Sequence, residues 1–224
     1  MLTVVSVAEH WDSVYRNKAD DELSWMRSDA SRSLRLIGPP PNSDAAIVDV
    51  GAGTSTLVDH LVDDQWPHIT LLDLSAAALE ATCCRLADRC ADIELVTGTI
   101  LDWQPQRTYD VWHDRAVFHF LHGSERAWYV STAAQAIRSG GRLVIATFAH
   151  NGPESCSGLP TQRYDADGLS EVFGDHFALT HHEREVHVTP WDTEQPFTWA
   201  VLQRRQPSRP KRYRFVSYGV NPRR

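Results

Sequence analysis

The feature that most constrains the fold is a glycine turn set between a short apolar run and a helix-like stretch. The run AIVDV (46–50) leads into GAGTS (51–55), and apolar residues then recur at helical spacing from Thr56 to Gln65. A second apolar run, ITLLDL (69–74), carries Asp73 near its end. Glycine lets a backbone approach a ligand closely, and a carboxylate at the tip of the next strand accepts hydrogen bonds from ribose hydroxyls. The pattern predicts a nucleoside-binding strand–turn–helix unit.

The rest of the chain continues the alternation of strands and helices, which predicts an α/β fold with a parallel, doubly wound sheet. Two late strands have no helix between them and suggest an antiparallel pair at a sheet edge. The further strands are expected at Ile93 to Val96, Tyr109 to Trp112, Leu143 to Phe148, Phe177 to Val188 and Phe197 to Gln203, and the helices at Ala76 to Cys90, Arg126 to Arg138 and Ala166 to Phe173.

Composition divides the chain into three segments. Residues 1–41 are expected to form a helical lid or substrate segment, helical from Ala8 to Gly38, because apolar residues alternate with charges up to a proline run. Residues 42–204 form the expected core domain. Residues 205–224 are basic, with no acidic residue after Glu194, and are interpreted as a separate, solvated tail to which no function is assigned. Whether this tail is ordered or disordered is left open.

Charge and composition exclude several classes of protein. With 224 residues, 42% of them hydrophobic, the chain can bury one sizeable core. A net charge of -7 argues against a nucleic-acid or anionic-membrane binder, and no apolar run is long enough to span a membrane. We expect a cytoplasmic protein. The spacing of its four cysteines fits no zinc pattern, so we expect free thiols and no bound metal.

The glycine turn favours S-adenosylmethionine over a dinucleotide. A dinucleotide site normally keeps a third glycine where a helix N-terminus meets the pyrophosphate, and Ser55 occupies that place. Asp49 precedes the turn and would repel a pyrophosphate, whereas a cationic sulfonium ligand with an amino group suits an acidic turn.

Five segments together resemble the class I S-adenosylmethionine-dependent methyltransferases: DVGAGTS, LLDLS, YDVWHDRAVFHFL, GGRLVIATF and the late paired strands. The resemblance covers roughly residues 10 to 204 and implies a Rossmann-like, seven-stranded, mostly parallel sheet whose last strand is antiparallel. It implies binding of S-adenosylmethionine, with S-adenosylhomocysteine as product. Many relatives carry an acid after Gly98, where this chain has Thr99. The cofactor residues it implies are Asp49, Gly51 and Gly53 at the methionine portion, Asp73 at the ribose, Leu74 against the adenine, and Thr99 and Ile100 beside the base.

The N-terminal aromatic residues are a second point of resemblance. HWDSVY (10–15), followed by SWM (24–26), is similar to the opening helices of bacterial small-molecule and eukaryotic protein-lysine branches of the family. The resemblance implies that Trp11, Tyr15 and Trp25 close over the methionine end of the cofactor, where aromatic faces attract a cation. The alternative is that these rings only pin a lid helix to the core.

The triplet His113-Asp114-Arg115 is the main candidate for acceptor-side chemistry, because it follows a predicted strand at the edge where α/β sheets bind ligands. His113 or His119 can take a proton from the acceptor near neutral pH. Arg115 can hold an acceptor carboxylate or orient Asp114, which is expected in the cofactor site. The alternative is a purely structural network.

The sequence thus predicts an enzyme that transfers a methyl group from S-adenosylmethionine to an N, S or O nucleophile by in-line displacement, with proximity and orientation as the main sources of catalysis. A small-molecule acceptor is expected, because the chain has no added recognition domain. Three alternatives stay open: a protein-lysine methyltransferase, an NAD-dependent oxidoreductase and a non-catalytic cofactor-binding module. The sequence leaves the oligomeric state undetermined.

Overall fold

The computed structural model describes residues 6–19, 22–25 and 29–206. Its strands are, in chain order, β1 (Ala46–Val50), β2 (His68–Asp73), β3 (Ile93–Thr97), β4 (Tyr109–Arg115), β5 (Ile137–Phe148), β6 (Ser155–Cys156), β7 (Leu159–Pro160), β8 (Phe177–Val188) and β9 (Glu194–Arg204). Its α-helices are α1 (Val7–Asn17), α2 (Ser31–Ile37), α3 (Leu57–Asp63), α4 (Ala76–Leu86), α5 (Ser124–Ala136) and α6 (Ala166–Phe173).

The central sheet has seven strands in the order β3–β2–β1–β4–β5–β9–β8, and β6 and β7 form a separate hairpin. Strands β1 to β5 are parallel to one another. Strand β9 runs antiparallel to both β5 and β8, between which it lies. The predicted Rossmann-like, mostly parallel sheet with an antiparallel last strand is confirmed.

Side chains that alternate along the strands form two apolar clusters, because successive residues of a strand point to opposite faces. Ile47, Val111 and Val144 belong to one cluster, which α2 and α3 cover. Val48 and Trp112 belong to the other, which α5 and α6 cover. The sheet is thus buried on both faces, as a doubly wound sheet requires.

Capping side chains fix where several helices begin. The Ser6 side chain accepts a hydrogen bond from the Glu9 amide, and the Glu9 carboxylate accepts one from the Ser6 amide, so the two residues form a capping box at α1. Ser75 caps α4 by accepting a hydrogen bond from the Ala78 amide. Since Ser75 comes two residues after Asp73, this cap places the start of α4 beside the tip of β2.

Three element boundaries differ from the sequence-based expectation. The continuous helical pattern expected from Ala8 to Gly38 forms two separate helices, α1 and α2, among the described residues. Helix α5 ends at Ala136, before the expected Arg138, and β5 begins at Ile137 instead of Leu143. Strand β4 extends to Arg115, so the expected site triplet lies within the strand instead of after it.

The cysteine prediction is wrong for two of the four residues. Cys83 in α4 and Cys90 in the following 3-10 turn form a disulfide, whereas Cys84 and Cys156 are free. Helix α4 ends between the two bonded residues, which brings them together in space. Within the described ranges, no helix is long and apolar enough to cross a membrane. The basic tail lies outside the described residues from position 207 onward, and so does Met26.

Candidate active site

A large cavity of about 410 Å³ opens at the carboxyl ends of the parallel strands. Its walls come from α1, from the tips of β1 and β2, from the loops after β3 and β4, and from the β6–β7 hairpin. This is the edge of an α/β sheet where ligands bind. Nine of the predicted site residues line this cavity: Trp11, Tyr15, Trp25, Gly51, Asp73, Leu74, Thr99, Ile100 and Arg115.

A small cavity of about 70 Å³ adjoins the large one. Gly51, Tyr15, Trp25 and Arg115 line both cavities. The walls of the small cavity also include polar and charged side chains of both signs: Asp29, Arg32, Ser33, Asp49, Thr54, Ser55 and His113. Together the two cavities provide a mainly apolar chamber joined to a small polar one.

The glycine turn requires its glycines for two physical reasons. Gly51 and Gly53 have φ angles of +70° and +53°, in the left-handed region that side chains disfavour. A Cβ atom at Gly51 would overlap the Val117 side chain, and a Cβ at Gly53 would overlap the Tyr15 hydroxyl. The turn therefore brings backbone close to the cavity wall on one side and to α1 on the other. Gly53 lines neither cavity and instead supports the turn.

Asp73 is buried at the tip of β2 and holds the glycine turn. Its Oδ2 accepts a hydrogen bond from the Gly53 amide at 2.8 Å, and its Oδ1 accepts one from the Ser75 amide at 2.8 Å. Burial raises the pKa of this carboxyl from 3.8 to about 6, against the opposing effect of the two amides. The carboxyl thus supports the turn and also faces the large cavity.

Helix α4 supports the same turn from behind, through residues that the sequence analysis missed. The Thr82 hydroxyl donates to the Gly53 carbonyl at 3.0 Å. Arg85 donates to the carbonyls of Thr54 at 2.8 Å and Ser55 at 2.7 Å. The turn is therefore held from both sides before any ligand binds. No local motif marks these residues, since their partners lie far away in the sequence.

Strand alternation separates the predicted His113-Asp114-Arg115 triplet. His113 and Arg115 lie on the face that borders the small cavity. Asp114 points to the opposite face, where its carboxylate accepts hydrogen bonds from the Tyr129 hydroxyl at 2.5 Å and the Val117 amide at 2.9 Å. Asp114 lines neither cavity, and it is too well engaged in the fold to be oriented by Arg115. Burial raises its pKa to about 6.

His119 is also placed away from both cavities. It is fully buried, and its Nδ1 accepts a hydrogen bond from the Phe148 amide at 3.2 Å. Burial, with a smaller contribution from the Arg115 charge, lowers the pKa of this imidazole to about 3. A neutral imidazole of such low basicity is a poor proton acceptor, so the structure does not favour His119 as the base.

Aromatic side chains of the N-terminal segment meet the core over the large cavity. The Trp11 ring lies 5.3 Å from the Trp25 ring and 5.5 Å from the Phe120 ring. The Trp25 indole donates a hydrogen bond to the Tyr15 hydroxyl at 3.3 Å. The backbone carbonyl of Trp25 accepts one from Arg115 at 2.8 Å. These contacts bring together the three aromatic residues singled out in the sequence.

Helix α1 is attached to the core by Asp12. Its Oδ1 accepts hydrogen bonds from the Ser75 hydroxyl at 2.9 Å and the Ala77 amide at 3.1 Å, at the start of α4. Its Oδ2 accepts one from Arg16 at 2.6 Å. Since α1 contains no fully buried residue, these polar contacts contribute strongly to its placement.

Two further residues complete the wall of the large cavity. Cys156, in the hairpin, lines it, and burial raises the pKa of its thiol to about 11. A neutral thiol is a weak nucleophile, so the structure gives no support to covalent catalysis there. Glu125, at the start of α5, also lines the cavity and was not expected; its carboxylate accepts from the His122 amide at 2.9 Å.

Comparison with known proteins finds a matching family model and many structures of similar fold. Residues 48–143 match a family model described as a methyltransferase domain. No curated protein matches the chain in sequence. The N-methyltransferase NodS from Bradyrhizobium japonicum, solved with S-adenosylhomocysteine, is 14% identical with a TM-score of 0.67, over 88% of this chain and 99% of that one.

Two other solved structures show the same fold. The 1,6-didemethyltoxoflavin-N1-methyltransferase of Burkholderia thailandensis is 17% identical with a TM-score of 0.67, over 89% of this chain and 87% of that one. A chain from the complex of the Haloferax volcanii Trm112 methyltransferase activator with a methyltransferase is 14% identical with a TM-score of 0.72, over 91% of this chain and 100% of that one.

The order of the seven strands gives the chain the Rossmann-like fold of these structures, and residues 48–143, which include the glycine turn and Asp73, match a methyltransferase domain. The match to a methyltransferase domain indicates that the chain is an enzyme.

Proposed function

We propose that the chain transfers the methyl group of S-adenosylmethionine to an N, S or O nucleophile of a small molecule. The observation that carries the proposal is the pair of joined cavities at the carboxyl edge of the sheet. The polar cavity matches the amino-acid end of the donor, and the apolar one matches its nucleoside with room for an acceptor. The two meet at Gly51, beside Tyr15 and Trp25.

The nucleoside half of the donor fits the wall formed by the tips of β2 and β3. Asp73 would accept hydrogen bonds from the two ribose hydroxyls, while Leu74 and Ile100 would pack on the adenine. All three residues line the large cavity. The amino-acid half fits the small cavity, where Asp49 can bind an ammonium group and Arg32 a carboxylate.

The acceptor would occupy the remaining part of the large cavity. Trp11, Phe120 and Leu121 give this part an apolar surface, and Arg115 supplies a positive charge for an acceptor carboxylate. A volume of about 410 Å³ must also contain most of the donor, which favours a small acceptor over a folded protein. The 1,6-didemethyltoxoflavin-N1-methyltransferase, which was solved with bound 1,6-didemethyltoxoflavin, supports this choice.

Catalysis would then rest on alignment. The acceptor lone pair attacks the methyl carbon as the carbon–sulfur bond breaks, and the site holds the two in line.

We propose that α1 acts as a lid, within an N-terminal segment spanning residues 1–41, over a core of residues 42–204. Its aromatic faces would stabilise the sulfonium cation. We also propose a cytoplasmic location.

The first test is calorimetric titration with S-adenosylmethionine, S-adenosylhomocysteine and NAD. We expect saturable one-to-one binding of the two adenosyl ligands and none of NAD. A methyl-labelled donor, offered with panels of small amines, thiols and phenols and with lysine peptides, then identifies the acceptor. Binding of NAD alone, or silence from all three ligands, would overturn the proposal; labelling of peptides alone would replace the small-molecule acceptor with a protein.

A further inference from the structure

Three buried side chains form a continuous chain of hydrogen bonds beside the small cavity. The Nδ1 atom of His113 lies 2.7 Å from Asp49 Oδ1, and its Nε2 atom lies 3.0 Å from Ser33 Oγ. The exposed fraction is 3% for both Asp49 and His113, and 7% for Ser33. All three residues line the small cavity.

The fold fixes this arrangement. Asp49 and His113 are register partners on the adjacent parallel strands β1 and β4, so the sheet itself places their side chains together. Ser33 reaches them from α2, which covers this face of the sheet. The Trp199 ring lies 6.2 Å from the imidazole and closes the far side.

The donors and acceptors of the three groups determine the tautomer. An ionised carboxylate only accepts hydrogen bonds, so Nδ1 carries the proton that it shares with Asp49. In the neutral imidazole, Nε2 then accepts a hydrogen bond from the Ser33 hydroxyl. With both nitrogens engaged, His113 has none to offer to a methyl acceptor.

We propose that His113 is a positioning residue, which is oriented by Ser33 and holds the Asp49 carboxylate for the ammonium group of the methyl donor. The inference rests on the proposed function, because it takes the small cavity as the site of the donor's amino-acid end. It replaces the sequence-based interpretation of His113 as a base. A neutral imidazole leaves the negative charge of Asp49 intact for the ammonium group, and the hydrogen bond fixes the direction of the carboxylate.

The test compares two ligands that differ at this end. S-adenosylhomocysteine carries the amino-acid group, whereas 5′-methylthioadenosine lacks it and keeps the nucleoside. We expect His113→Phe to lower the affinity for S-adenosylhomocysteine about 10-fold, because a hydrogen bond to a charged group is lost. The affinity for 5′-methylthioadenosine should fall by less than about 2-fold. His113→Asn, which can still donate to Asp49, should recover most of that affinity. The control is His60→Phe, an exposed histidine on α3.

Each result decides the proposal. Equal weakening of both ligands by His113→Phe, or no weakening of either, would overturn it. If His113→Phe does not fold, Ser33→Ala takes its place. This variant should lower the affinity for S-adenosylhomocysteine by a smaller factor and leave the affinity for 5′-methylthioadenosine unchanged. Unchanged affinity for both ligands would then overturn the proposal. Failure of the unaltered protein to bind S-adenosylhomocysteine would instead refute the proposed function.

Discussion

At the scale of single residues, the Asp73 carboxylate has two roles. It accepts hydrogen bonds from the Gly53 and Ser75 amides, and it faces the cavity in which the proposed donor ribose would lie. A carboxylate has about four acceptor sites, so it can serve both the turn and the ligand. A substitution here therefore affects stability as well as binding.

We predict that Asp73→Ala weakens S-adenosylhomocysteine binding by at least about 100-fold and lowers the free energy of unfolding by about 2 kcal/mol. Stability falls because two buried amides lose their hydrogen-bond acceptor, and binding weakens because the ribose hydroxyls of the ligand lose theirs. Calorimetry and denaturant unfolding measure the two effects. Asp64→Asn, at an exposed carboxyl that ends α3, is the control. Unchanged affinity in a folded Asp73→Ala protein would contradict the assignment.

The raised pKa of Asp73 predicts opposite pH trends for binding and stability. The carboxyl ionises near 3.8 in the unfolded chain and near 6 in the folded one. Its contribution to the free energy of unfolding is therefore fully present below about pH 4 and falls as the pH rises to about 6. The ionised form is the better ribose acceptor, so S-adenosylhomocysteine affinity should fall as the pH drops through about 6.

Calorimetric titrations at several values between about pH 5 and 8 test the binding trend, because the change is centred on the pKa of the carboxyl. Asp73→Asn does not titrate and should show weak affinity with little slope in this range. An equally flat profile in the unaltered protein would mean that Asp73 does not control binding.

At the scale of elements, α1 covers the large cavity yet buries no residue fully. Asp12 attaches α1 to the core through hydrogen bonds to the start of α4, next to Asp73. A weakly packed helix with a polar attachment can open at low cost in free energy. We therefore expect the rate at which the methyl donor enters and leaves the cavity to depend on the Asp12 carboxylate.

We predict that Asp12→Ala accelerates dissociation of S-adenosylhomocysteine by roughly 3- to 10-fold, because α1 loses its hydrogen bonds to α4. The melting temperature should change by about 2 °C or less. Stopped-flow tryptophan fluorescence follows the dissociation. Arg16→Ala, which removes the exposed ion pair but keeps the contacts to α4, should change the rate by less than about 2-fold. Equal rates in Asp12→Ala and the unaltered protein would argue against an opening lid.

The elements show how far sequence reasoning reaches. The glycine turn and Asp73 could be predicted because each belongs to a contiguous pattern of strand, turn and helix. The end of β4 could not, since the apolar signal stops at Trp112 while pairing with β5 continues to Arg115. That short extension decides on which face Asp114 and His113 lie, and it separated residues that had been predicted to act together.

Contacts between distant segments were also beyond the sequence. Asp49 and His113 are 64 positions apart, and Ser33 and His113 are 80 apart. Their approach depends on the register of β1 with β4 and on how α2 packs, which no local pattern encodes. The same holds for Thr82 and Arg85, which support the turn from another helix.

At the scale of the whole molecule, the Cys83–Cys90 disulfide closes a short loop between α4, the helix that supports the glycine turn, and the 3-10 turn that follows it. We predict that Cys83→Ser lowers the free energy of unfolding by about 2 kcal/mol and the melting temperature by about 5 °C, because a short loop is no longer closed in the unfolded chain. Thermal unfolding with and without a reducing agent measures this. Cys84→Ser, at an exposed free thiol, is the control. Titration of four free thiols in the unreduced protein would contradict the pairing.

The position of β9 also has a consequence for biosynthesis. This strand, Glu194–Arg204, lies between β5 and β8 and is paired to both, although it comes after both in the chain. During synthesis β8 therefore has no neighbour in the sheet until β9 has been made, and the growing chain presents open strand edges of β5 and β8. Completion of the sheet must wait for residue 204, so this stage of synthesis is the one most exposed to aggregation and to binding by chaperones.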